Sequence, residues 1–197
     1  MVEWYLYFID TKMKHLKGFN FPADNFRHGI DEPYVFDNFL EDKKFLPIFD
    51  AMKAPAFPWR MTKILDDTED NYLTNIQMAH MFYDHYSPED ESINLLFPIL
   101  EAIDPISILK IKANVLTKTD TIVEHGLHND IENRLDCPFI KTAILYMNTC
   151  DGYTKFSNDD KVNSVQNRFV VFPNSLQHTG STTTNSPFRM VININYI

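Results

Sequence analysis

Between Glu124 and Asp130 the chain reads Glu-His-Gly-Leu-His-Asn-Asp. His128 and Asp130 are two apart, and on an extended segment side chains at i and i+2 project to the same side. An imidazole and a carboxylate then address one point. A metal centre needs a third ligand. His178, 48 residues beyond Asp130 in Phe-Pro-Asn-Ser-Leu-Gln-His-Thr-Gly, is the best candidate. Two His and one carboxylate with open positions suit non-haem Fe(II) oxygen chemistry. Arg189 follows His178 by eleven residues, in Phe-Arg-Met-Val-Ile-Asn-Ile-Asn-Tyr, and can hold the carboxylate of a co-substrate. His125 competes as a ligand, but on a strand it faces away from the pair, which leaves it a supporting or structural role. Each piece also has a plain reading. Gly126 and Asn129 suit a solvated loop, and a lone His such as His178 is more often a surface or satisfied histidine.

The elements around these residues follow from periodicity. Residues 1–9 alternate loosely and suggest an edge strand, and 10–32 have no steady period. Tyr34 to Phe36 reads as a strand. Asn38 with Glu41 has capping-box spacing for a helix carrying Phe45, Phe49 and Met52, with Pro47 expected to kink it. Residues 57–65 and 71–84 read as strands about a polar turn. Ser87-Pro88-Glu89-Asp90 has the marks of a helix start, followed by a stripe of Ile93, Leu96, Leu100 and Ile103 that Pro98 interrupts. From Ile106 the period becomes two: Leu109, Ile111, Ala113 and Val115 alternate with Lys110, Lys112 and Asn114, as in a half-buried antiparallel strand with one wet face. Strands follow at 142–148, 153–156, 168–172 and 188–196. The fold class is mainly β with flanking helices (α+β), its second half a sandwich or barrel, expected as one domain of residues 1–197. In it, 1–104 pack on a core formed by 105–197. On the last strand Arg189, Val191, Asn193 and Asn195 share one face, so if Arg189 points inward both Asn do, and buried amides need partners. The polar segments 66–71 and 157–165 are the candidate lids.

At 197 residues, with 44% hydrophobic content and sixteen Phe, there is material for a real core. A net charge of −9 disfavours general nucleic-acid binding, which draws on Lys and Arg. Two cysteines, Cys137 and Cys150, make no disulfide scaffold and fit no zinc pattern, pointing to a reducing compartment. The apolar start carries Glu3 and Asp10 and lacks a basic leader, and no run approaches the ~20 apolar residues of a membrane span. The expected location is cytoplasmic.

The order His-x-Asp, strand, turn, strand, His, strand with Arg resembles the Fe(II)- and 2-oxoglutarate-dependent oxygenases, specifically the prolyl-4-hydroxylase-like branch and its short phage forms. The residues that carry it are Glu124 to Asp130, Thr142-Ala-Ile-Leu-Tyr-Met-Asn148, Asn167-Arg-Phe-Val-Val-Phe-Pro173, His178-Thr-Gly180 and Arg189 to Tyr196, with Val35-Phe-Asp-Asn-Phe-Leu40 upstream. The resemblance spans about residues 33 to 197, is densest from 105 onward, and leaves 1–32 unmatched. It implies a double-stranded β-helix, a distorted, cupin-like jelly roll. It further implies Fe(II) held by His128, Asp130 and His178 as the catalytic centre, and 2-oxoglutarate held by Arg189, with O₂ as the other co-substrate. Tyr146 matches a family tyrosine that often helps hold the same carboxylate, against a plain reading of core packing. Asn195 is expected at the pocket beside the cofactors. Where collagen-type hydroxylases use Lys, this chain has Arg189. The implied activity is hydroxylation of an unidentified substrate, a prolyl residue of a protein or peptide by analogy, or a small molecule, in the host cytoplasm if the gene is a phage's.

Two rivals stand beside this reading. One is a non-catalytic jelly-roll module, structural or for attachment in a virion, whose His and Asp are incidental. The other is a cupin-like isomerase or dioxygenase using the same triad without 2-oxoglutarate, which Arg189 argues against.

Overall fold

The computed structural model describes residues 14–17, 21–27, 29–64, 76–132 and 136–197. In chain order these form β1 (Lys14–Lys17), α1 (Ala23–Phe26), β2 (Tyr34–Asp37), α2 (Asp42–Lys53), β3 (Arg60–Lys63), β4 (Ile76–Asp84) and β5 (Ser87–Pro88). A 3-10 turn (Glu91–Leu96) then leads into α3 (Phe97–Ile103), β6 (Ile108–Thr117), β7 (Lys141–Tyr146), β8 (Tyr153–Phe156) and β9 (Lys161–Asn163). The chain closes with β10 (Arg168–Pro173), β11 (His178–Gly180) and β12 (Phe188–Tyr196). Nine strands make one sheet in the order β1-β2-β10-β7-β12-β6-β4-β3, with β5 on β4, and β11-β8-β9 make a second.

The period-two pattern of the later strands sorts residues between two apolar clusters on opposite faces of the large sheet. On one face Ile111, Ala113, Val115, Ala143, Leu145, Phe169, Val171, Met190, Ile192 and Ile194 meet the helices. On the other Ile144, Tyr146, Val170, Phe172 and Val191 meet Phe156 and Val162 of the small sheet. Every residue of β7 is buried, as a strand covered on both faces requires. The wet face expected of β6 is real, but it faces a cavity between the sheets: Lys110, Lys112 and Asn114 line it.

The first half departs from its local signals. Residues 14–17 and 23–26, expected irregular, form β1 and α1. Asn38 sits at φ 53 in a bend, and the N-cap of α2 is instead Glu41, which makes no side-chain cap hydrogen bond. The helix runs through Pro47, which is exposed, and buries Phe45, Ile48 and Met52. Ser87 and Pro88 pair with Asp84 and Tyr83 as a short strand, and the true cap is Asp90, whose carboxylate accepts from the Ser92 N–H at 2.8 Å. Pro98 interrupts nothing, because the 3-10 turn ends at Leu96 and places it in the first turn of α3, where its missing N–H costs no bond. That break shifts the buried stripe to Ile99 in place of Leu100. The strand expected at 57–65 is β3, which starts only at Arg60, and within 71–84 the described residues form β4. Residues 1–9, 66–71 and 71–75 lie outside the described residues. Segment 157–165 is a hairpin whose return strand, β9, pairs with β8. Among the described residues no helix is long and apolar enough to cross a membrane.

Asn167 ties the two halves together. Its Oδ1 accepts from the Leu40 N–H at 3.0 Å and its Nδ2 donates to the Leu40 carbonyl at 2.7 Å. It is 4% exposed and sits at φ 60, a conformation Asn tolerates better than most residues. Asn167→Ala should therefore cost about 2–4 kcal/mol, from two lost buried bonds and left-handed strain. Asn167→Gly should recover only the strain. Urea melts of the three proteins check the order wild type, Gly, Ala.

Candidate metal centre

The segment that carries His128 and Asp130 is not a ladder strand. It is a loop pinned by two isolated antiparallel bridges, Glu124 to Ser181 and His128 to His178. In the second, His128 and His178 exchange both backbone hydrogen bonds at 3.0 Å. Directly opposed residues of an antiparallel pair put their side chains on the same face, and the two imidazole centroids stand 4.6 Å apart. His128 Nε2 lies 3.6 Å from Asp130 Oδ1, and one donor atom from each of His128, Asp130 and His178 falls within 4.8 Å of the others. The carbonyl of Gly126 lies 3.1 Å from His128 Nδ1, which orients the ring with Nε2 toward Asp130.

Several residues hold Asp130 in place. Asn195, buried on the inward face of β12, donates from Nδ2 to Asp130 Oδ2 at 3.1 Å and to Thr142 Oγ1 at 3.0 Å. Asn174 brackets the next residue, accepting from the Ile131 N–H at 3.2 Å and donating to its carbonyl at 2.9 Å, while Asn129 donates to the Asn174 carbonyl at 2.7 Å. Burial pushes the Asp130 pKa up. The His128 hydrogen bond, the pull of both imidazoles and the Asn195 amide outweigh it and leave the carboxyl well below the usual range. An ionised carboxylate beside two imidazoles in a cavity of about 700 Å³ is a donor set that fits a divalent ion.

Arg189 lines the same cavity and is 3% exposed. It donates from Nη2 to Thr154 Oγ1 at 3.1 Å, lies with Cζ 5.5 Å from the centre of the Tyr146 ring, and keeps a buried Nε without a hydrogen-bond partner. Burial lowers its pKa, yet a guanidinium stays charged. No described carboxylate pairs with it, so the cavity holds a buried cation ready for an anion. Two glycines make room for it. A Cβ on Gly152 would stand 2.6 Å from Arg189 Cδ and 2.6 Å from the Thr182 carbonyl, and one on Gly180 would stand 3.2 Å from Arg189 Nη1. Tyr146 is fully buried behind Arg189 and donates to the same Thr154 Oγ1 at 2.8 Å. Burial raises its pKa against the charge of Arg189, so its hydroxyl is neutral. Thr154 accepts from both neighbours and lines the cavity. Nothing in the sequence distinguishes Thr154, since its partners are eight and 35 residues away. Asn193 lines the cavity beside Asn195, as alternation requires. His125 also lines it, contrary to its expected outward face, because the segment is a bridged loop with no strict alternation.

Glu124 anchors the loop to the small sheet. It accepts hydrogen bonds from Tyr153 Oη, from Lys155 Nζ at 3.2 Å and from Lys161 Nζ at 3.2 Å. The Tyr153 hydrogen bond leads, and with both lysines it outweighs burial to hold the Glu124 pKa down at about 2.

No protein-family model matches the chain, and no curated protein matches it. Solved structures do. A prolyl-4-hydroxylase from Pseudomonas putida superposes with a TM-score of 0.55 at 12% identity, over 88% of this chain and 96% of that one. A prolyl hydroxylase from Trichoplax adhaerens, in complex with a hypoxia inducible factor oxygen degradation domain peptide fragment, gives 0.60 at 12% identity, over 85% and 84%. The non-haem alpha-ketoglutarate-dependent carbocyclase SnoK from nogalamycin biosynthesis gives 0.62 at 12%, over 91% and 87%. The chain has their fold. It is the double-stranded β-helix that the sequence resemblance implies.

Two outcomes follow from the site's supports. Gly152→Ala should lower stability by about 1–3 kcal/mol in thermal melts, because a backbone carbonyl and Arg189 block the added methyl. A depressed carboxyl pKa contributes stability above its unfolded value near 4.5, lost as pH falls through about 2. The urea-midpoint gap between wild type and Glu124→Gln should accordingly be widest above about pH 4.5 and close below it. A gap independent of pH would contradict the role given to Glu124.

Proposed function

We propose that this chain is an Fe(II)- and 2-oxoglutarate-dependent dioxygenase that hydroxylates a C–H bond of its substrate. The observation that carries the reading is a conjunction in one cavity: His128, Asp130 and His178 with convergent donor atoms, and a buried Arg189 with no described carboxylate partner. The likeness of fold to 2-oxoglutarate oxygenases supports it.

In this reading His128, Asp130 and His178 hold Fe(II) and leave its other positions open. Arg189 holds the distal carboxylate of 2-oxoglutarate through two parallel hydrogen bonds, with the Thr154 hydroxyl as a further donor. Tyr146 fixes Thr154 and backs the guanidinium. Asn195 keeps Asp130 turned toward the metal, as partners of ligating carboxylates commonly do. When bound, the iron and 2-oxoglutarate supply O₂ activation coupled to oxidative decarboxylation. The protein contributes orientation, a fixed set of charges and a walled cavity. Hydroxylation of a prolyl residue in a protein or peptide is the narrowest form of the reading, supported by likeness to two prolyl hydroxylases. The carbocyclase of the same fold is a reminder that substrate is decided by the walls of the site. The virion-module reading does not account for a cation buried beside a convergent His-Asp-His set.

Anaerobic addition of Fe(II) and 2-oxoglutarate to metal-free protein should produce the charge-transfer absorbance of a chelated 2-oxo acid. His178→Ala should abolish it. Arg189→Ala should keep it but demand roughly tenfold to a hundredfold more 2-oxoglutarate, the loss of one or two charged hydrogen bonds. Folded wild-type protein without the band would overturn the proposal, and an unshifted Arg189→Ala titration would favour chemistry without 2-oxoglutarate.

A further inference from the structure

Three carboxamides cross the cavity wall on a diagonal that the chemistry above does not use. Asn114 on β6 pairs with Ala79 of β4 on one side and with Val191 of β12 on the other, and β4 and β12 run in the same direction. Gln77 lies two residues before Ala79, and Asn193 two residues after Val191. The three side chains therefore step across three strands, and all of them line the cavity. Diagonal neighbours on one face of a sheet stand roughly 7–8 Å apart. Asn129 and Asn195 are committed to Asn174 and Asp130, but these three amides are not spent on the protein. Asn114 Oδ1 is buried without a hydrogen-bond partner, which is costly for an amide oxygen. Gln77 is buried too, and among the described residues neither its side chain nor that of Asn193 has a hydrogen-bond partner.

The rest of the lining narrows what could meet them. Its charges balance, Asp84, Asp130 and Glu132 against Lys110, Lys112 and Arg189, so no net field selects an ion. Its apolar part is thin, and among the described residues no Phe, Tyr or Trp lines it. An apolar ligand needs chiefly apolar and aromatic walls, and a sugar ring is gripped by stacking on an aromatic face. A neutral ligand held by hydrogen bonds fits this wall. A carboxamide both donates and accepts, so it pairs in kind with another amide, N–H to C=O and C=O to H–N. Residues on one side of an extended peptide repeat at about 7 Å, close to the spacing of the diagonal.

Resting on the oxygenase reading, we infer that Gln77, Asn114 and Asn193 form a substrate subsite that reads uncharged amide groups, either a single carboxamide or successive amides of an extended main chain. Asn114, at the centre of the diagonal, is the specificity residue. A ligand that lacks N–H or O–H donors leaves its buried oxygen unpaired and is disfavoured. 2-Oxoglutarate, which offers only acceptors, cannot satisfy that oxygen.

The test uses zinc-loaded protein saturated with 2-oxoglutarate and follows the side-chain NH₂ resonances of Gln77, Asn114 and Asn193 by NMR, assigned with Gln77→Leu, Asn114→Leu and Asn193→Leu. N-acetyl-triglycine N-methylamide should shift all three saturably. Its fully N-methylated analogue, which keeps the carbonyls and lacks the donors, should bind about threefold or more weakly. Acetamide separates the two sources: affinity equal to the peptide's means a single carboxamide, and weaker binding means an extended main chain. In Asn114→Leu the dissociation constant of the peptide, read at Gln77, should rise about threefold to tenfold. The thermal midpoint of that variant should hold or rise, because a buried acceptor without a partner has been removed. Equal affinity for the N-methylated analogue, an equal response to glucose, an unchanged constant in Asn114→Leu or a lowered midpoint would each overturn the inference. So would an Asn114 signal that responds to 2-oxoglutarate and to nothing added after it, which would assign the amide to the co-substrate. The Fe(II)–2-oxoglutarate absorbance of the wild type separates the two readings. A band with failed peptide binding sinks the subsite alone, and an absent band sinks the metal reading while the amide shifts are judged by themselves.

Discussion

Two backbone hydrogen bonds between His128 and His178 set the geometry on which everything else depends. The segments that carry these residues are not joined by a ladder; they touch at single bridges. One residue of slippage would turn an imidazole from the cavity to the opposite face. The bonds on either side guard against it. Glu124 is tied to three side chains around β8 and β9, Thr182 Oγ1 accepts from the Val123 N–H at 2.9 Å, and Asn174 grips Ile131 from the other end. The loop is held at both ends and in the middle, so the protein alone brings the three donor atoms together.

The last strand shows how a core and the candidate site share one element. Its outward residues, Met190, Ile192, Ile194 and Tyr196, lie in the apolar layer under the helices. Its inward residues run from Arg189 to Asn195 along the cavity. A buried guanidinium is costly to desolvate, and the strand that carries it is flanked on both sides, by β6 and β7, with an apolar face fully covered. The packing on one face offsets the electrostatic cost on the other. Gly152 and Gly180 extend the same logic. Gly152 has no unusual φ, and its lack of a Cβ matters because Arg189 passes where that atom would be.

How much of this was legible in the sequence depended on whether a feature was local. β6, β7, β8, β10 and β12 were legible from their apolar runs or alternation, whereas the short β9 and β11 were not, and alternation also placed Asn193 and Asn195 with Arg189. The same rule misjudged the wet face of β6 and the direction of His125, since periodicity gives the sides of a strand without saying which side meets solvent, and says nothing about a bridged loop. Helix starts failed for a different reason. Asn38 and Ser87-Pro88 have capping chemistry, but turns and short strand pairs use the same residues, and tertiary pairing decided between them. Thr154, Asn167 and Asn174 were invisible because each acts on residues brought near only by the fold.

Low sequence identity to proteins of the same fold follows from this division of labour. The apolar layers need only residues of suitable size and alternation, which many sequences satisfy. The candidate metal centre needs three donors, one bridge and a few amides. Between these two sets lies the cavity wall, whose residues belong to neither. There the fold imposes nothing but an inward direction. Lys110 and Asn114 face the cavity from β6 without filling the core, so packing leaves their polarity free.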